Sequence, residues 1–163
     1  MKLQDRDIEI INYIEQYGAT IQQAADLYFN GSYESANKRL RKLEQAKFIK
    51  GKLHPVLNKK VYYKRKIPSY HSLAIQDVYI KNRNIIQTYK REAKLENYKV
   101  DALIITKRNN VVILEVDIYN KTKQEKIDAV KQYVKTRLHC LPYIMILNKY
   151  DLQRGEAKRL PTE

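Results

Sequence analysis

The order of local signals from Asp5 to Lys66 constrains this chain more than any other feature: three short helices, then two alternating strands. Asp5 can cap a first helix through about Tyr17, with Ile8, Ile11 and Ile14 at three-residue steps and Gly18 as its stop. Thr20-Ile21-Gln22-Gln23 is a capping box, in which Thr20 and Gln23 satisfy each other's backbone donors. It opens a second helix over roughly 21–29 that buries Ala24, Leu27 and Tyr28. Asn30-Gly31 breaks that helix, and Ser32 or Ser35 caps a third one running to about Lys47. Phe48 to Leu53 then alternates like a strand and Lys60 to Lys66 does so again, with His54–Lys59 bridging the two as a hairpin.

The third helix carries the first functional information. Ala36, Leu40 and Leu43 share one side of the helical wheel and form its buried stripe. The opposite side holds Asn37, Lys38, Arg41 and Gln45, with Arg39 and Lys42 on the flanks. Two short helices, a tight turn, a third helix with a basic and amide-bearing face and a hairpin behind it define a winged helix-turn-helix. Asn and Gln pair bidentately with adenine, Arg with guanine, and Lys contacts phosphate or guanine. Residues 37–66 contain 12 Lys/Arg and one acid, Glu44, a density suited to gripping phosphates through counterion release. The candidate contacts to double-stranded DNA are Ser35, Asn37, Lys38, Arg41, Lys42 and Gln45 on the helix, and Lys50, Lys52, Lys59, Lys60 and Lys64 on the hairpin. The bland alternative is a solvated charged helix face.

Composition agrees without deciding the matter. Lys and Arg number 32 against 18 Asp and Glu, for a net charge of +14. The surplus is shared, with 14 basic and seven acidic residues in 1–66 and 18 and 11 in 67–163. A polyanionic partner follows from that balance, although a lysine- and tyrosine-rich proteome of an AT-rich genome would give the same numbers. No apolar run approaches the ~18–20 residues that cross a bilayer, and the start lacks the apolar core of a secretory signal. The lone Cys140 fits a reducing compartment and is expected to be a small buried residue, so a cytoplasmic protein without membrane contact is expected. Three scattered histidines, one cysteine and four glycines give neither a zinc spacing nor a nucleotide-cradling loop.

The second half reads as helix, three strands, helix, strand. Ile67-Pro68-Ser69 is the linker-like spot, and a helix follows from His71 to about Asn82. Residues 85–95 are a weak strand; Val100–Ile105 and Val111–Ile118 are clear ones around a Lys107–Asn110 turn. Thr122-Lys123-Gln124-Glu125 is a second capping box, opening a helix to about Leu138 that buries Ile127, Val130, Val134 and Leu138. Pro142 to Leu147 is wholly apolar, as in the middle of a sheet covered on both faces. Asn148–Glu163 is polar and expected to be peripheral.

A carboxylate cluster sits inside this half. Glu115 and Asp117 point to one sheet face, opposite Leu114, Val116 and Ile118. A three-residue hairpin loop places Asp101 across from Asp117, and a five-residue loop places it across from Glu115. Either register is expected to gather Asp101, Glu115 and Asp117 within reach of one Mg²⁺ or Mn²⁺, with Glu92 as a fourth acid. The alternative is a structural ion-pair network in which Lys90, Lys94 or Lys126 neutralises them.

Order and spacing here resemble the PD-(D/E)XK nuclease fold, an αβββαβ core with an Asp followed, after a hairpin, by Glu-x-Lys. Val100-Asp101 stands in place of Pro-Asp, and Glu115-Val116-Asp117 in place of Glu-x-Lys. The resemblance implies catalytic Asp101 and Glu115. Asp117 cannot do the work of the motif lysine, which positions or activates the attacking water. Lys126 could supply a migrated lysine, with Tyr133 two turns further along the same side.

The whole layout is also similar to the replication-relaxation family of Gram-positive plasmids and mobile elements, which joins a winged helix to a nuclease-like domain. The features that match are the helix-turn-helix with its hairpin and the series Asp101, Glu115-Val116-Asp117, Lys126 and Tyr133. That resemblance implies a DNA-binding role in replication or mobilisation, at an origin, transfer site or promoter, with replication or relaxosome proteins as partners.

The expected architecture is α+β. A winged helix-turn-helix spans 1–66, a restriction-endonuclease-like αβββαβ domain 67–147, and a polar tail 148–163. Binding without catalysis and without a cofactor is the first expectation. A Mg²⁺- or Mn²⁺-dependent DNA endonuclease is the second. A transcriptional regulator whose second half makes a homodimer is the third.

Overall fold

The computed structural model describes residues 1–153 and 159–162 of an α+β protein. Contacts divide the chain into two compact units, Met1–Gln76 and Asp77–Glu163, with the boundary inside a helix at Tyr70–Asn82.

The first unit contains α1 (Asp5–Tyr17), β1 (Ala19–Thr20), α2 (Ile21–Tyr28), α3 (Tyr33–Gln45), β2 (Lys50–Leu53) and β3 (Lys60–Tyr63). Gln4, not Asp5, occupies the N-cap of α1, and its backbone N–H donates to Asp7 Oδ2 at 2.7 Å. Asp5 is instead the first helical residue, where its charge suits the positive end of the helix dipole. The buried stripe of α1 is Asp7, Ile10, Ile11 and Ile14, and Ile8 is exposed. Spacings of three and four follow the helical period, which steps of three alone do not. The Thr20/Gln23 capping box forms as expected, at 3.1 Å in both directions, and the Gln23 amide goes on to donate to Leu73 O. Leu27 and Tyr28 are only half-buried; Ile21, Ala24 and Ala25 carry the packing of α2. Ser32, rather than Ser35, caps α3.

Gly18 turns the chain out of α1 at φ 68° and ψ 168°, a region that essentially only glycine occupies. A methyl group there would also lie 2.6 Å from Pro68 Cγ, on a ring that cannot swing aside. Gly18→Ala should therefore cost about 2 kcal/mol or more in urea unfolding. A cost below about 0.5 kcal/mol, typical of a neutral surface change, would contradict this account.

The three strands form an antiparallel sheet in the order β1-β3-β2. The connection between β2 and β3 is ordered by His54, which is buried. Its Nδ1 accepts from Val56 N and Leu57 N at 3.2 Å each, which leaves Nε2 to donate to Pro68 O at 3.1 Å. That pattern requires the neutral ring with its proton on Nε2. Ile10, Ile14, Ala24, Leu40, Leu43 and Tyr62 are the centre of the core beneath this sheet.

The second unit takes the end of α4 (Tyr70–Asn82), then β4 (Ile86–Leu95), β5 (Tyr98–Thr106), β6 (Val111–Asp117), α5 (Gln124–Leu138), β7 (Tyr143–Asn148) and α6 (Lys149–Gln153). Its sheet runs β4-β5-β6-β7, antiparallel except for the parallel β6–β7 pair, which a helical crossover through α5 makes possible. Val111 to Val116 are all buried, so β6 is the strand covered on both faces. The apolar β7, expected at the middle, is an edge strand that among the described residues pairs only with β6, and Tyr143 is 47% exposed. A short apolar run reports burial but not how many neighbours a strand has.

Two expectations about α5 also change. Its N-cap is Lys123, without a side-chain cap, because Thr122 is held elsewhere. Val130 and Val134 are buried, Ile127 is half-buried, and Leu138 in the last turn is 46% exposed. Cys140 is half-buried against the core rather than fully enclosed. The segment after β7 is not wholly peripheral: Leu160 is buried and its N–H donates to Asn82 Oδ1 at 3.0 Å. Residues 154–158 and 163 of the expected polar tail lie outside the described residues. Among the described residues no helix is long and apolar enough to cross a membrane.

Candidate nucleic-acid interface and acidic cluster

In the first unit, the buried stripe Ala36, Leu40 and Leu43 fixes which side of α3 faces outward. Lys38, Arg41, Lys42 and Gln45 are exposed, and Asn37 is half-buried. Together with Glu34 they line a groove of about 360 Å³. No acid is paired with Lys38, Arg41 or Lys42 among the described residues. Ser35 is exposed but committed, its hydroxyl bonded to Ser32 Oγ at 2.9 Å beside the helix cap.

Arg39, expected on the flank of this face, turns inward. Its Nε donates to Asp7 Oδ1 at 2.6 Å and its Nη2 donates to Asp7 Oδ2. Asp7 is completely buried, so this bidentate pair ties the first turn of α1 to the middle of α3. The Arg39 guanidinium, as the largest cause, holds the Asp7 carboxyl below the usual carboxylate range, against the opposing effect of burial.

The hairpin lysines divide into two groups. Lys50, Lys52 and Lys59 are exposed. Lys60 reaches back to Glu44 Oε2 on α3 at 2.6 Å, and Lys64 reaches Glu15 Oε2 on α1 at 2.9 Å. Burial opposes the charge on Lys60, yet its hydrogen bond to Glu44 and its contact with Tyr62 hold its pKa above the usual lysine value. Gly51 makes room for this link, since a methyl group there would fall 2.4 Å from Lys60 Cε. Lys60 and Lys64 thus fix the hairpin to the helices while the other three face solvent. The third strand, β1, and the Glu15 clamp have no sequence signal: one is two residues long, and the other pairs residues far apart in the chain.

In the second unit the β5–β6 ladder settles the register. Ile105 pairs with Val111 and Ala102 with Leu114, which leaves a five-residue loop and brings Asp101 across from Glu115. Asp101 Oδ2 accepts from Val116 N at 2.7 Å. Asp117 is drawn away: Oδ2 accepts from Thr122 N at 2.9 Å and Oδ1 from Thr122 Oγ1 at 2.6 Å, bracing the loop before α5. Glu92 lies at an exposed irregularity with φ 49° and pairs with Lys99 at 2.8 Å. The three carboxylates expected to surround a metal are therefore not brought together. Among the described residues no group of three or more His, Cys, Asp or Glu side chains could hold a metal ion. The residues as arranged do not fit Mg²⁺ or Mn²⁺.

Lys126, of the three candidate lysines, is the one that reaches the cluster. Its Nζ lies 2.6 Å from Glu115 Oε1, a charge contact without the alignment of a hydrogen bond to that oxygen. Tyr133 is half-buried on the same helix, packed against the core. Glu115 is 5% exposed. Burial, the largest cause, with the charges of Asp101 and Asp117, raises its pKa above the usual glutamate value, and Lys126 offsets this only in part.

A raised carboxyl pKa means that the folded state keeps the proton longer than the unfolded chain. Stability is then greatest at low pH in respect of this group, and falls as pH rises from about 4.5 through the folded-state value. Glu115→Gln should accordingly leave the second unit as stable as wild type, or more so, at neutral pH. It should also flatten the stability–pH curve above about 4.5. Lys126, at 23% exposure, can turn to water in that variant. Urea unfolding across pH checks both; a loss of more than about 2 kcal/mol at neutral pH would mean that the ion pair is a net stabiliser.

No family model matches the chain, that of the replication-relaxation family included, and no curated protein matches it. Among solved structures it is similar to a repair endonuclease from Pyrococcus abyssi, at a TM-score of 0.39 and 13% identity. The match covers 65% of this chain and 54% of that one, so the chain spans about half the length of that protein.

Proposed function

We propose that this chain binds double-stranded DNA through a winged helix-turn-helix, with α3 in the major groove and the β2–β3 hairpin against phosphates. One observation carries the reading. The outward face of α3 presents Lys38, Arg41, Lys42 and Gln45 without acidic partners among the described residues, beside a hairpin fastened to that helix by Lys60–Glu44. A recognition helix needs such a fixed neighbour to set its angle in the groove. The second unit, in this reading, is a PD-(D/E)XK-like αβββαβ domain that does not cut. Support comes from its element order, and from Asp117 and Glu115 being committed to Thr122 and Lys126. The resemblance to replication-relaxation proteins extends the reading to an origin, transfer site or promoter of a plasmid or integrative element.

Fluorescence anisotropy with labelled duplexes tests the binding. Affinity should fall by about 10³-fold or more between about 50 and 200 mM salt. An absence of duplex binding at low salt overturns the reading. Asp101 facing Glu115 across the β5–β6 ladder, with Lys126 at Glu115, is the observation behind a second reading, a metal-dependent DNA endonuclease, which requires these side chains to rearrange around the ion. Nicking of supercoiled plasmid in Mg²⁺ or Mn²⁺ that disappears in Asp101→Ala would replace the first reading with it.

A further inference from the structure

A second concave surface lies on the other flank of α3. Glu44 reaches toward the hairpin from one side of that helix, and Ser35, Arg39 and Lys42 project from the opposite side. There, a cavity of about 360 Å³ is lined by Arg6 from the first turn of α1, Phe29 and Asn30 at the end of α2, and Lys38, Arg39 and Lys42. The Arg6 guanidinium is 4.6 Å from the centroid of the Phe29 ring. Stacking of this kind supports the planar fork and lowers the entropy lost when it binds an anion. Arg39 contributes little free charge because it is bonded to the fully buried Asp7. Arg6, Lys38 and Lys42 therefore leave a net positive cavity with no acid in its lining.

Lys38 and Lys42 also line the groove on the outward face of α3. The two surfaces are continuous, so a duplex lying on the outward face would bring a sugar-phosphate backbone over this flank. We propose that the cavity seats a backbone phosphate of the DNA strand on the side of the major groove opposite the hairpin, with Arg6 as its principal ligand. The two edges of the groove are then held differently, by the exposed ammonium groups of Lys50, Lys52 and Lys59 on one side and by a stacked guanidinium on the other. This assignment deepens the DNA-binding reading and rests on it.

The test uses the full chain and labelled duplexes over a salt series. Arg6 is exposed, so Arg6→Gln should melt like wild type. It should bind every duplex about five-fold more weakly or worse, with the slope of log affinity against log salt shallower by about 1 and sequence preference unchanged. Arg6→Lys keeps the charge and should recover the slope without recovering full affinity. Wild-type affinity and slope in Arg6→Gln would overturn the proposal. Arg41→Ala separates the two failures: if it loses affinity while Arg6→Gln does not, only the cavity assignment falls. If both are silent, or wild type binds no duplex, the DNA-binding reading falls with it. Inorganic pyrophosphate, titrated at constant ionic strength, distinguishes the source of the phosphate. Heat stabilisation of wild type but not of Arg6→Gln, alongside duplex binding indifferent to Arg6, would assign the cavity to a free phosphate and overturn the backbone assignment.

Discussion

Asp7→Ala should destabilise the first unit by about 3 kcal/mol, lowering its melting temperature by on the order of 10 °C. Three losses act together. The Arg39 fork loses both acceptors, and its guanidinium, only 18% exposed, is left with a charge that water reaches poorly. Gln4 loses the acceptor for its backbone N–H at the start of α1, an interaction of the capping class worth about 1 kcal/mol. A fully buried side chain is also removed, leaving space beside the core. The pH dependence has a definite sign. The Asp7 carboxyl is held below its unfolded value, so its contribution is complete above about 4 and is lost as pH falls through the folded-state value. Wild type should therefore lose stability in acid, and Asp7→Asn should show a flatter acid limb from a lower starting point. Differential scanning calorimetry with urea titrations at several pH values measures both. An Asp7→Ala variant that melts with wild type would show that the buried pair does not hold α1 to α3.

The parts legible in the sequence are those in which a local rule decides the outcome. Thr20 and Gln23 satisfy each other three residues apart, and Gly18 supplies a backbone conformation that other residues resist, so the break between α1 and α2 could be placed in advance. The outward face of α3 followed from three apolar positions on one side of a helix. The parts that were not legible depend on residues distant in the chain. Arg39 has the same helical placement as its basic neighbours, and only Asp7, on another helix, draws it inward. Lys59 and Lys60 are adjacent, yet one faces solvent and the other meets Glu44. Thr122-x-x-Glu125 has the form of a capping box, but Asp117 takes the Thr122 backbone N–H that Glu125 would accept from, and the N-cap is Lys123. The same bonds turn the Asp117 carboxylate toward Thr122, while its charge still acts on Glu115. Loop length between β5 and β6 was open in the sequence because Lys107–Asn110 suits a turn of either size, and the strand register resolves it.

The largest functional effects should come from the two surfaces of the first unit, and they should differ in kind. Neutralising Lys50, Lys52 and Lys59 together should lower affinity for every duplex, on the order of 100-fold at low salt, and reduce the salt slope by about 3. These side chains are exposed and have no acidic partner among the described residues, so neutralising them should leave the hairpin in place, held by His54, Lys60 and Lys64. Arg41→Ala should instead cost about 1–3 kcal/mol on a preferred sequence selected from a random duplex pool, and much less on the unselected pool. Asn37→Ala should act in the same direction but more weakly, since Asn37 is half-buried and at the edge of the groove. Lys60→Ala would be a poor probe of phosphate contact, because it also leaves Glu44 without its partner and frees the hairpin from α3. Anisotropy titrations of selected and random duplexes over a salt series read all of these at once. If the triple lysine variant changed preference while Arg41→Ala changed only the salt slope, the roles assigned to helix and hairpin would have to be exchanged. If neither variant departed from wild type, α3 would not be the helix that enters the groove.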